Sequence, residues 1–418
     1  MFIKGEKIMS GPLAGVRVVE LSTFVAAPVT ARLLADLGAE VIKVETLSGD
    51  SWRVSGAGYL KRFSEEENPI FDIYNIGKKH VSVNLKTQKG KEVFFKLLDS
   101  ADVFITNLRV DALKRLGIFY DDIKDKYPKL VYAAILGYGE KGPEANNQAY
   151  DTVAFWARSG FLRDMATVTD NYFPVAAPIG VGDTASGYLL LAEICAALFR
   201  RTSTGTGDYV TSTLYHNGIF CMGTMVIMSQ PPFGRNYPYN RVDNGPREGC
   251  YKCADGEWIY FALGNAPVNI PKYHKLIGHP ELDTDPRFTP DKFWDNRYAY
   301  YDYFYQAFLS KPSTEWVELA KSLDLPLVKM GHFKDVSTDE QAWANGFIDH
   351  IEYPNGHKDI MPTSPIEMNS ATPCPIEPVP ANGTHTVEVL LSLGYSEDEV
   401  KNMEQLGAIC SVNSINNK

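Results

Sequence analysis

The stretch IGVGDTASGYLLL, residues 179–191, sets a single carboxylate, Asp183, between Gly182 and a run of small residues, directly ahead of one of the most apolar segments in the chain. A carboxylate in that position has two uses. From Thr184 to Arg201 apolar residues dominate without proline, and Arg200 and Arg201 stand where cations complement a helix C-terminus. Asp183 therefore fits an N-cap accepting bonds from the first free backbone N–H groups, and equally a catalytic group at a helix start. The other reactive residue types are less suggestive. Cys250 and Cys253 make a lone C-x-x-C in EGCYKCADG, and a metal site would need two further ligands at suitable spacing. The eight histidines show no H-E-x-x-H spacing, so no metal is expected.

The elements that position Asp183 begin with a βαβ pattern. GVRVVELS is a β-branched run, PVTARLLADLG has helical periodicity opened by Pro28 and closed by Gly38, and AEVIKVE is a second apolar strand. The alternation continues through HVSVNL, KGKEVFFKLLDSA, DVFIT, VDALKRLG and LVYAAILGYG. This predicts an α/β protein with a large doubly wound, Rossmann-like domain. The first βα turn, STFVAAPVT, lacks G-x-G-x-x-G, and no G-x-x-x-x-G-K-[ST] occurs, which argues against NAD, FAD and ATP. After residue 225 proline, glycine and aromatics increase, and the DG between CYKCA and EWIYFAL marks a hairpin. The expected organisation is a large domain over 1–225, a smaller α+β domain over 226–330, and a proline-rich linker with C-terminal helices over 331–418 that return to the large domain.

Bulk composition narrows the function classes. The 418 residues carry a formal net charge of -10 with no basic run, which excludes a nucleic-acid or anionic-membrane surface and means that an anionic ligand needs a local basic pocket. No segment is expected to reach the length of a membrane span, and MFIKGEKIMSGPLAG lacks the apolar core of a signal peptide, so a cytoplasmic protein is expected. Six scattered cysteines do not form a secreted disulfide framework.

Several strings together carry a resemblance: GPLAGVRVVELSTFVAAPVTARLLADLGAEVIKVE, NIGKKHVSVNL, ITNLRVDALKRLG, LVYAAILGYGEKGP, AYDTVAFWARSG, GDTASGYLLLAEICAALFRRTSTGTGDYV and HTVEVLLSLGYSEDEV. From about Gly11 to about Gly407 the chain resembles the class III CoA-transferases, the family of formyl-CoA transferase and carnitine CoA-transferase. The resemblance implies a large α/β domain built from both chain ends, a smaller domain between, and an interlocked homodimer. It makes Asp183 the nucleophile, with Gly180 and Gly182 leaving room for close approach and helix-start N–H groups available to an oxyanion. It assigns coenzyme A binding to Lys78, Lys79, Asn107, Arg115 and Tyr138, with Arg53 and Lys43 as further candidates. No cofactor is held permanently; the CoA thioester is a substrate.

Departures from the family pattern bear on the substrate. Formyl-CoA transferase has a glutamine near the start of its first helix where this chain has Val25, which argues for an acid with an apolar side chain. YPYNRVDNGPREG, within 231–249, stands where that enzyme has a glycine-rich lid. The 2-methylacyl-CoA racemases of the family use a histidine before an aspartate, and this chain has Tyr150-Asp151; a phenol with a pKa near ~10 is a poor base at neutral pH. An inactive acyl-CoA-binding relative is disfavoured by the presence of Asp183. Among transferases, GYGEKGP, YPYNR and DEQAWAN look most like the subgroup of amino-acid fermentation, which moves CoA from a 2-enoyl-CoA to an (R)-2-hydroxy acid such as phenyllactate or 2-hydroxyisocaproate. Bile acid and carnitine remain alternative acids.

Overall fold

Five strands, β1 (Arg17–Leu21), β2 (Glu40–Glu45), β3 (Lys79–Val83), β4 (Val103–Thr106) and β5 (Val131–Leu136), are buried along almost their whole length. Such continuous burial is what a sheet covered on both faces requires. The computed structural model describes residues 11–60, 64, 66–168, 172–240, 249–263 and 266–412. With β6 (Asp208–Thr213) and β7 (Ile409–Cys410) the five strands form one sheet in the order β7-β3-β2-β1-β4-β5-β6. All pairings are parallel except that of β7, which runs antiparallel to β3 with Ile409 opposite Val83. The fold is thus the expected α/β one, and both chain ends contribute to its sheet. Connections leave β1 and β4 in opposite directions along the sheet, and Leu21 lies opposite Thr106, so a crevice opens between their carboxyl ends.

The helices that matter for the crevice are α1 (Ala26–Asp36), α2 (Gln88–Leu98), α3 (Val110–Leu116), α4 (Val181–Thr204) and α5 (Leu214–Cys221). Helices α1 and α4 touch backbone to backbone. A Cβ on Gly187 would sit 2.3 Å from Val29 Cγ1, and Thr30 Oγ1 donates to the Gly187 carbonyl at 3.0 Å. The expectation that no segment reaches the length of a membrane span does not hold. By length and composition α4 is long and apolar enough to cross a membrane. Its Gly187, Leu190, Ile194, Ala197 and Leu198 are instead buried in the fold, where α4 packs on α1, β5 and β6.

The chain divides into two units whose edges differ from the expected ones. The large unit comprises Met1–Phe161, Ala176–Phe233 and Glu340–Lys418; the second comprises Leu162–Val175 and Gly234–Asp339. An excursion before α4, which the sequence pattern placed in the large domain, therefore belongs to the small one. In the second unit a hairpin of Gly249–Lys252 and Trp258–Phe261, extended by Leu327–Lys329, packs on the helices Ala266–Ile277, Phe293–Phe308 and Ser313–Ser322. Its core is aromatic: Tyr251 and Phe308 are 4.9 Å apart between ring centroids, Phe308 and Trp316 5.1 Å. Cys253 is buried in that core and Cys250 is exposed. Much of the loop 231–249, at 241–248, lies outside the described residues.

Beneath the crevice runs a buried ion network. Glu20 on β1 takes Lys43 Nζ on Oε1 and Lys78 Nζ on Oε2, both at 2.8 Å, and Lys43 also meets Asp50 at 3.0 Å. Lys78 donates further to the Pro28 carbonyl and to Asn75 Oδ1, each at 2.9 Å. Burial alone would raise the Glu20 carboxyl, but the two ammonium groups hold it down to about 2. Lys78 and Lys43 are fully buried with their charges used inside the fold, so neither has a free charge for a ligand phosphate. Removing one partner of such a network leaves uncompensated charge. Glu20→Gln should lower unfolding free energy by about 3–5 kcal/mol in urea titrations, whereas Lys79→Met, whose pairs with Glu40 and Glu388 are partly exposed, should cost about 1 kcal/mol or less. Equal losses would remove the network from its structural role.

Candidate active site

The crevice holds a cavity of about 260 Å³ whose walls come from six separate parts of the chain. Residues 23–26 follow β1, 107–110 follow β4, 135–137 end β5, and 145–150 precede a wide helical turn; Asp183 of α4 and Leu214 of α5 complete it. Asn107 ties the first two segments together: its Oδ1 accepts from Thr23 N at 3.0 Å and its Nδ2 donates to Thr23 O at 2.7 Å. The loop after β1 is also strained. Phe24, a non-glycine residue, has φ 64°, its N–H reaches Asp50 Oδ1 at 3.2 Å, and its ring meets Trp52 and Tyr150 at 5.8 and 5.6 Å. Left-handed backbone at a bulky residue is costly and persists where surrounding contacts fix it, often beside a functional site.

The capping role expected of Asp183 is filled by a different residue. Gly180, in the left-handed region at φ 78°, is the N-cap of α4, and Asp183 stands in the first turn without a capping bond. The cap is Asp151, whose Oδ2 accepts from Gly182 N at 3.2 Å and from Asp183 N at 3.4 Å. Asp151 is buried and precedes the wide turn Thr152–Ala157, whose Phe155 ring presses on the helix start: a Cβ on Gly182 would lie 2.4 Å from it. Gly182 is therefore required by packing rather than by ligand approach, and the Gly182 and Asp183 N–H groups expected for an oxyanion are already taken by Asp151. Gly180 does border the cavity wall, since its Cβ would meet Val25 Cγ1 at 3.7 Å.

Asp183 is consequently a half-buried carboxylate with no hydrogen bond to its oxygens among the described residues, facing a cavity. Burial pushes it up to about 7, and the neighbouring Asp151 charge adds to the rise. Asp151 is raised as well, by burial against the pull of the backbone N–H groups. The ionised form of Asp183 is a poorly solvated anion beside open space.

The expected ligand residues scatter. Val25, Asn107 and Asp183 line the cavity. Tyr138 is half-buried against Tyr215 at 6.2 Å, and Arg115 is exposed on the last turn of α3. Lys79 is held by Glu40 and Glu388, and Arg53 by Glu45 and the Pro380 carbonyl. The sequence reading missed Arg109. It is exposed at the N-cap of α3, lines the cavity, and has no acidic partner among the described residues. Its position two residues after Asn107, past the end of an apolar strand, was the available signal.

Comparison with known proteins places this geometry. CoA-transferase family III matches residues 13–386. The chain is 40% identical to (R)-2-hydroxy-4-methylpentanoate CoA-transferase of Clostridioides difficile over 94% of this chain and 98% of that one. It is 35% identical to cinnamoyl-CoA:phenyllactate CoA-transferase of Clostridium sporogenes over 94% and 96%. A CAIB/BAIF family protein from Brucella suis has a similar crystal structure, with TM-score 0.75, 26% identity, and coverage of 92% of this chain and 100% of that one.

If the ionised Asp183 is the reactive form, kcat/KM should fall on the acid side with an apparent pKa near 7. Asp151→Asn keeps an acceptor for the helix N–H groups but removes the like charge. It should move that acid limb to lower pH without abolishing turnover; an unmoved limb would mean that Asp151 does not set the titration of Asp183.

Proposed function

The chain belongs to CoA-transferase family III, and we propose that it moves coenzyme A from a 2-enoyl-CoA to an (R)-2-hydroxy acid through covalent intermediates on Asp183. It is an enzyme that transfers CoA and is most like the 2-hydroxyacid CoA-transferases. One observation carries the covalent reading: among the described residues the Asp183 carboxylate at the helix start has no hydrogen-bond partner, because Asp151 does the capping.

The chemistry must exchange one acid for another without losing the thioester. Asp183 attacks the acyl-CoA carbonyl, the C–S bond breaks, and a mixed anhydride and CoA thiolate result. The thiolate attacks the Asp183 carbonyl carbon, releasing the first acid and leaving an aspartyl-CoA thioester. The incoming carboxylate attacks the same carbon, regenerating an anhydride and thiolate. Attack of that thiolate on the new acyl carbonyl yields the product thioester and free Asp183. These steps need no resident cofactor. Arg109 at the cavity rim supplies the unpaired cation that a phosphate-bearing ligand needs on an acidic chain, and Asn107 holds the rim's backbone. Val25 gives the acyl wall an apolar surface.

A homodimer is compatible with the surface of the large unit, where Phe199 is 80% and Phe220 82% exposed. A cytoplasmic placement follows the soluble relatives that the chain resembles.

The decisive experiment mixes the protein with cinnamoyl-CoA, quenches with hydroxylamine and maps the modified peptide. Modification at Asp183, with Asp183→Asn unlabelled and at least about 10³-fold slower, is expected. Exchange of the α-proton of a saturated 2-methylacyl-CoA with deuterated water, with no label at Asp183 from either thioester, would replace the reading by an isomerase. Val25→Gln should shift preference towards small polar acids, and an unchanged acid profile would remove Val25 from the acyl wall.

A further inference from the structure

A second cavity, of about 300 Å³, lies in the large unit beside the first turn of α4. Val29, Leu33, Ile73, Tyr74, Thr184 and Tyr188 line it, with residues 362–365 along one side. Gly180 connects it to the Asp183 site. A Cβ there would lie 3.0 Å from Tyr74 Oη and 3.7 Å from Val25 Cγ1, so the two cavities approach each other across a residue with no side chain.

The lining specifies a ligand chemistry. Arg32 and Asp36 border the cavity, but they are buried and bonded to each other at 2.9 Å, so they offer it no free charge. The rest of the lining is largely aliphatic and aromatic; of its hydroxyls, those of Tyr74 and Thr184 lie next to the helix start that carries Asp183, and those of Tyr188, Thr363 and Ser364 complete the polar part. Tyr74 is raised first by burial and then by the charge of Asp183, which keeps its phenol a neutral donor across the working pH range and places it in the field of that carboxylate. An enclosed apolar cavity of about 150 Å³ suffices for a benzene ring. Twice that space receives a phenyl or branched alkyl group and part of the carbon that bears it.

We propose that this cavity is the side-chain subsite for the acid exchanged at Asp183, with the Tyr74 hydroxyl binding the 2-hydroxyl group. The inference rests on the CoA-transfer reading and adds to it where the acid lies and what recognises it. When a carboxylate is joined to Asp183 and its side chain enters the cavity, the carbon between them passes Gly180, and a hydroxyl on that carbon meets Tyr74. A 2-enoyl group places no hydroxyl there. Tyr74 therefore distinguishes the two partners of the exchange, while the apolar walls accept the side chain that both share.

The test compares acids in steady-state transfer. Ile73→Trp fills the cavity and should lower kcat/KM for (R)-phenyllactate and (R)-2-hydroxy-4-methylpentanoate about 10-fold or more relative to (R)-lactate. Tyr74→Phe should lower kcat/KM for (R)-phenyllactate about 10-fold or more while changing that for cinnamate less than about 3-fold. Equal losses for all acids, or none, overturn the subsite. Should Ile73→Trp fail to fold, Tyr188→Ala enlarges the cavity from its exposed wall, and an acid profile not shifted towards bulkier side chains has the same force. Hydroxylamine trapping with cinnamoyl-CoA runs alongside on the unmodified protein. Absence of label at Asp183 refutes the CoA-transfer reading itself; label with flat acid profiles refutes the subsite alone.

Discussion

One hydrogen-bonding choice organises the site: the free N–H groups at the start of α4 are satisfied by Asp151, from a different segment, and not by the aspartate in their own first turn. A helix start that buries its N–H groups must find acceptors for them. Because Asp151 meets that need, Asp183 keeps both its oxygens for other partners. The arrangement has strict steric terms. Gly180 supplies the left-handed turn and Gly182 admits the Phe155 ring of the segment that carries Asp151. Two carboxylates then share a partly desolvated corner, where burial raises both and the Asp151 charge adds to the rise of Asp183.

Much of this was legible in the sequence, and the failures are instructive. Strand and helix alternation from Gly15 to Gly139 reports local periodicity, which the chain wrote clearly. Asp183 stood out because glycines and a long apolar helix isolate it. What periodicity cannot report is a partner distant in sequence. Lys78 and Lys79 read alike as adjacent cations; one is sealed against Glu20 from β1 and the other rests in a half-open pair with Glu40 and Glu388. Gly182 read as room for a ligand because the ring that fills the space belongs to Phe155. The excursion at 162–175 joins the second unit through contacts made more than seventy residues later, so no local shift in composition marks it.

The crevice also shows how a doubly wound sheet does without a glycine-rich phosphate loop. Where the usual fingerprint brings backbone close to a pyrophosphate, this chain has Phe24 in a left-handed conformation, braced by Asp50 and flanked by Trp52 and Tyr150. The buried ions below reach the same loop, since Asp50 serves both Lys43 and the Phe24 N–H. Charge that looked available for a ligand is used to hold the floor of the crevice. Among the described residues that line the cavity, Arg109 is the one cation, and it has no acidic partner among them.

The outermost pairing of the sheet carries a kinetic consequence. Strand β3 is flanked on one side by β2, made shortly before it, and on the other by β7, made after the second unit and nearly all the rest of the chain. During synthesis the β3 edge therefore stands unpaired while the small aromatic-cored unit is translated and folds. An open strand edge is a template for pairing with other chains, and a contact of such sequence separation closes late. Lys79 on β3, ion-paired in the finished protein, is the kind of charge that discourages pairing with strangers in the interval.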